Sequence, residues 1–77
     1  MRLNEGDKIE VIGDGTIPEM EPGVYWVDIV DVVQGSRCYG FRRFYGRSIL
    51  IRHWTNRIDP LVGVRSGNRV VILQKAA

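Results

Sequence analysis

The stretch from Arg37 to Arg47 reads RCYGFRRFYGR, with aromatic and arginine side chains alternating around two glycines. That pairing of side chains suits single-stranded nucleic acid. Aromatic rings stack on bases for about 1–3 kcal/mol each, and arginines neutralise phosphates and release counterions. Arg37, Arg42, Arg43, Arg47 and Arg52 would supply charge, and Tyr39, Phe41 or Tyr45 a stacking surface. The alternative is equally physical: the rings are core and the arginines are the solvated side of a hairpin. Period-two alternation groups Tyr39, Phe41, Arg43 and Tyr45 on one face and Cys38, Gly40, Arg42 and Phe44 on the other. It does not say which face is inside.

Other chemistry finds little material. A zinc site needs three or four converging Cys, His or carboxylate ligands, and the chain has one cysteine, Cys38, and one histidine, His53. Acyl transfer needs a nucleophile beside a base. His53, Asp59 and one of Ser36, Ser48 or Ser66 are present, but no Gly-x-Ser-x-Gly elbow accompanies them. His53 reads as a polar cap on a helical turn, and Cys38 as a buried small apolar group. Gly13-Asp14-Gly15 starts like a dinucleotide fingerprint, yet the third glycine is missing and Pro18 stands where a helix should open. No cofactor motif remains, and the expectation is a protein without catalytic activity.

Charge is divided unevenly along the chain. Residues 1–34 hold eight acidic and two basic side chains, residues 35–77 nine basic and one acidic, for a net charge of +2. Such a split can mark an anionic partner, or acidic and basic strands paired in one sheet. Apolar runs such as Ile49-Leu50-Ile51 are far too short to cross a membrane. The opening MRLNEGDKIE has no apolar region of the kind found in signal peptides. With a single cysteine, a reducing cytosol is the expected setting.

The elements that must position these residues are strands. No window of eleven or more residues shows a helical apolar period free of Gly and Pro. Lys8–Ile12 (KIEVI) alternates as a first strand. Residues 13–23 (GDGTIPEMEPG) hold three glycines and two prolines and read as a long irregular loop. Val24–Val33 is the strongest strand. Tyr25, Val27 and Ile29 share one face, which would leave Trp26 exposed as an interface anchor. Beyond Asp28 the phase slips, the mark of a bulge or bend. Gln34-Gly35-Ser36 is a turn. Residues 37–44 and 47–52 make a hairpin around Tyr45-Gly46. His53–Arg57 gives one helical turn, with Trp54 plugging one end of the fold and Asp59-Pro60 ending the turn. Ser66-Gly67-Asn68 is a tight turn before a last strand over residues 69–74.

About five short antiparallel strands in a chain of 77 residues, with a helical turn before the last, predict an all-β single domain closed as a small barrel, since open edges invite aggregation. The layout resembles an SH3-like barrel. Gly6-Asp7-Lys8, Val11-Ile12-Gly13 and Gly23-Val24-Tyr25 resemble the opening of KOW-type modules, although no glycine stands near Glu19 and the loop is longer. The ending ILIRHW with Asp59-Pro60 is similar to small proteins of bacteriophages and prophages. The resemblance implies a non-enzymatic binding module. Nucleic acid bound by the basic hairpin is the leading expectation. A protein partner bound through Trp26 and the 13–23 loop, with Ile17 and Met20 as contacts, is the alternative.

Overall fold

In the computed structural model, residues 1–18, 20–43 and 51–77 are described. The strands are β1 (Lys8–Val11), β2 (Gly23–Val33), β3 (Ser36–Arg43), β4 (Ile51–Trp54), β5 (Val62–Gly63) and β6 (Val70–Gln74). A helical turn α1 (Thr55–Ile58) runs into a 3-10 turn over Asp59–Leu61. The order in the single sheet is β4-β3-β2-β1-β6-β5, antiparallel throughout except for the short parallel pair β5–β6. The protein is therefore all-β. The parallel pair departs from the wholly antiparallel set expected, and among the described strands no pairing joins β4 to β5 to close a ring.

Alternation sorts each strand into two faces, and the segments that cover one of them make it the buried face. Ile9, Val11, Tyr25, Val27, Tyr39, Phe41, Val70 and Ile72, from four neighbouring strands, are buried, with Leu3, Ile17, Met20 and Ile58 packed over them from loops and turns and Val62 from β5. A lone sheet has no second layer, so the segments before β1, between β1 and β2, and after β4 must supply the cover. The molecule measures 31 × 28 × 27 Å with a radius of gyration of 11.3 Å. Nearly equal extents require the sheet to coil around this core rather than lie flat.

The coil has a local cause in β2. Val27 pairs with Phe41, and Ile29 with Gly40, so Asp28 is an extra residue in the ladder. This bulge is the phase slip legible in the sequence. Before it Tyr25 and Val27 face inward; after it Val30 takes over, opposite Tyr39. Ile29, grouped by simple alternation with Tyr25 and Val27, is moved to the other phase and is half-buried. The β2–β3 turn is Gln34-Gly35, with φ of 51° and 79°. Positive φ at both central residues defines a type I′ turn, whose twist matches that of paired strands.

The second hairpin differs from its expected form. Phe41 pairs with Ile51 and Tyr39 with His53, one residue out of step with the Phe41–Leu50 pairing that a two-residue turn at Tyr45-Gly46 would impose. That turn itself lies outside the described residues. His53 belongs to β4 rather than capping a helix, and the helical turn begins at Thr55. Pro60 does not stop it; proline near the start of the 3-10 turn lacks only a donor that would be unpaired there. The plug expected of Trp54 concerns a side chain outside the described set.

Asp7 anchors the two ends of the chain. It is 1% exposed. Asn4 N–H donates to its Oδ2 at 2.8 Å and Ala76 N–H to its Oδ1 at 2.8 Å. Its backbone continues the edge of the ladder, with Val27 N–H donating to Asp7 O and Gly6 N–H to Val27 O. A buried carboxylate is tolerated only with such donors.

Candidate nucleic-acid interface

The basic hairpin is built from β3, and the sheet sorts its residues sharply. Tyr39 and Phe41 are fully buried, their rings 5.9 Å apart and tilted at 58°. Neither can stack on a base; the expectation that they form a platform is corrected, because alternation puts both on the face that the loops cover. Tyr39 is further committed by its hydroxyl, which donates to Asp59 Oδ1 at 2.6 Å and accepts from Leu3 N–H at 3.1 Å. Burial, reinforced by the hydrogen bond to Asp59, raises its pKa above the usual phenol value.

Two of the arginines are also engaged internally. The Arg37 guanidinium donates to Leu3 O at 3.0 Å and lies 5.9 Å from the Tyr39 ring. Arg43 pairs with Glu21 at 3.1 Å and sits 6.0 Å from the Tyr25 ring. Tyr25 donates its hydroxyl to Glu21 O at 2.6 Å. Its pKa is raised by burial, against the opposing pull of Arg43. Here an acidic residue of the first half meets a basic residue of the second, the bland consequence of the charge split. Tyr45 and Arg47 lie outside the described residues, as does the Arg52 side chain; the Arg52 backbone stands opposite Gly40.

Ile17 and Met20 are each 3% exposed. They form a small antiparallel bridge, with Met20 N–H donating to Ile17 O at 2.9 Å. The loop between β1 and β2 thus turns its apolar residues into the core, and the expectation that these two contact a partner is corrected. Thr16 steadies the same loop by donating to Ile12 O at 2.6 Å.

What remains on the outer face is a different constellation. Trp26 is half-buried there, in the phase opposite to buried Tyr25 and Val27. Lys8 on β1 is its register partner on one side, and Arg42 on β3 its partner on the other. Arg42 is exposed, and Lys8 Nζ lies 5.8 Å from the Trp26 ring centroid. The row Lys8–Trp26–Arg42 is an aromatic ring bracketed by cations on both neighbouring strands. Sequence spacing identifies Trp26 and Arg42 separately but misses Lys8, since only the cross-strand register brings residue 8 to residue 26. Along the strand direction the charges are reversed. Glu10, on the Lys8 face of β1, pairs with Val24, and exposed Asp28 follows Trp26.

Among the described residues there is no cluster of three or more His, Cys, Asp or Glu able to hold a metal, and Cys38 is a buried free thiol. No helix among them is long and apolar enough to cross a membrane. Comparison with family models, curated proteins and solved structures found no match.

Proposed function

We propose that this chain is a non-enzymatic nucleic-acid-binding module that works through the outer face of its sheet. One observation carries the reading: the Lys8–Trp26–Arg42 row, with cations at register positions on either side of a half-buried indole. Bases stack on aromatic rings whatever their sequence, and lysine and arginine neutralise the phosphates beside them. The basic excess of residues 35–77 adds a favourable long-range field. The reading keeps Arg42 from the basic hairpin and replaces its buried rings with Trp26. Arg52, whose backbone stands opposite Gly40 rather than Arg42, and Arg47 are proposed to add basic charge.

The strand order β4-β3-β2-β1-β6, the bulged second strand and the helical turn before β6 support an SH3-like architecture. The KOW-type opening and a bacteriophage or prophage source rest on sequence resemblance alone. The reading needs no cofactor and places the protein in the cytosol.

The test is a titration with short oligonucleotides over a range of salt. Two phosphates neutralised on a single strand give a slope of log K against log salt of about −1.4. Binding that is independent of salt and lost in Trp26→Ala would point instead to a protein-type interface anchored on the indole. No binding at any salt would overturn the reading.

A further inference from the structure

The arrangement of charge around Trp26 says more than that an anion binds there. We infer that the ligand is an unpaired strand, and that it crosses the sheet at right angles to β1, β2 and β3, along the row from Lys8 to Arg42. This rests on the nucleic-acid reading and specifies its ligand and path.

Three observations lead to it. First, the two cations flank Trp26 across the strands, separated from each other by two strand spacings, roughly 9–10 Å. The neighbours along β2 are of the wrong kind. Val24, with Glu10 beside it, precedes Trp26, and exposed Asp28 follows. A backbone running along β2 would meet carboxylates at both ends. One running across it meets a cation, an indole and a cation. Second, the bulge at Asp28 breaks the ladder two residues beyond Trp26, so the outer face is continuous across β1, β2 and β3 at this level and interrupted along β2.

Third, no described element suits a duplex groove. The major groove admits an α-helix or a two-stranded ribbon. The helix α1 is a single turn of four residues. Among the described residues, the ribbon that projects is the β2–β3 tip, where Asp31, Val32, Val33, Gln34 and Gly35 are all exposed. It carries an acid and two valines, and the nearest arginine, Arg37, donates to Leu3 O. A tip of that composition is repelled by phosphates rather than drawn between them. The indole can meet a base face only where that base has no stacked neighbour on that side, which an unpaired strand provides without the cost of opening a duplex.

The experiment labels the protein with 5-fluorotryptophan, which gives one 19F resonance for each of its two tryptophans. The Trp26 signal is assigned by its loss in Trp26→Phe. A short oligothymidylate and a mixed-sequence duplex of the same length are titrated at one low salt concentration. The single strand is expected to shift the Trp26 resonance, and the duplex to bind more weakly without shifting it. Trp26→Ala should lower single-strand affinity about 5- to 150-fold. Lys8→Gln and Arg42→Gln should each reduce the salt slope by about 0.7, whereas Asp28→Asn should raise affinity. A nitroxide at one end of the oligonucleotide reports the path: amides on the flanking strands should broaden, and those at Gly23 and Gln34 should not. Broadening at Gly23 or Gln34 would overturn the crossing path. A duplex that binds as tightly as the single strand would overturn the choice of ligand while leaving the nucleic-acid reading in place. Failure of both probes to bind would remove that reading itself.

Discussion

Replacing Asp7 by alanine removes a buried carboxylate that ties the first turn of the chain to its last residues. Two backbone donors lose their acceptor, Asn4 N–H and Ala76 N–H, each at 2.8 Å in the folded protein. A hydrogen bond to a charged group contributes about 1.5–3 kcal/mol. Asn4 is exposed and Ala76 half-buried, so water can reach the freed donors and the lower figure applies to each, giving about 3 kcal/mol in all. A domain of this size has roughly 4–11 kcal/mol of total stability, so the loss is a large share of it. With each kcal/mol worth about 4–8 °C, the melting temperature should fall by roughly 12–24 °C. Asp7→Asn keeps one acceptor oxygen and turns a donor toward the other N–H, so it should fall between wild type and alanine. Urea unfolding followed by circular dichroism gives the free energies. Ala76→Pro removes one of the donors, and a double-mutant cycle with Asp7→Ala should then show positive coupling. If Asp7→Ala costs less than about 0.5 kcal/mol, the range of ordinary surface changes, or if the two variants are simply additive, Asp7 is not the clasp described.

Tyr39→Phe should cost about 1–3 kcal/mol, because it leaves buried Leu3 N–H without its acceptor; an unfolding midpoint unchanged from wild type would show that the hydroxyl does not matter. The raised phenol pKa values of Tyr39 and Tyr25 predict alkaline lability. The folded state holds protons that the unfolded state releases above about pH 10, so stability is complete below that value and declines as pH rises through the folded pKa values. Unfolding free energies measured from neutral to strongly alkaline pH should show that decline, and a shallower one in Tyr39→Phe. Gly35→Ala forces a side chain into φ of 79° at a cost of about 1–2 kcal/mol; equal stability would mean that the β2–β3 turn relaxes to another type.

The parts of this fold that were legible in the sequence are those with a local signal. β1 and β2 follow from alternation, β6 from its apolar run after the Ser66-Gly67-Asn68 turn, and the bulge at Asp28 from the point where alternation fails. The glycine in Gln34-Gly35 marked a turn that the backbone shows to be type I′. What was not legible is long-range. The pairing of β1 with both β2 and β6 leaves no mark in either segment, so Lys8 could not be placed beside Trp26. Alternation grouped Tyr39 with Phe41 correctly but could not choose the inner face, because a hairpin with arginines on both sides offers two plausible surfaces. The choice is made by the cover that Leu3, Ile17, Met20 and Ile58 provide from elsewhere in the chain. Ile17 and Met20 were obscured for a related reason. Glycine and proline around them signal a loop correctly, and a loop is usually surface, but a single-sheet core has to borrow apolar side chains from its loops. Asp7 stands out in the sequence only within the Gly6-Asp7-Lys8 opening, and nothing local announces that the opposite end of the chain supplies its second donor.

The outer face around Trp26 is proposed to bind an unpaired nucleic-acid strand. The measurement that tests it most directly is a 15N-resolved NMR titration of the wild-type protein with oligothymidylate, repeated at low and physiological salt. Shifts centred on Lys8, Trp26 and Arg42 that weaken as salt is raised are expected. The Ile17–Met20 bridge and the core amides of Tyr39 and Phe41 should stay fixed. Shifts confined to the 13–18 or 64–69 loops, or none at either salt, would contradict it.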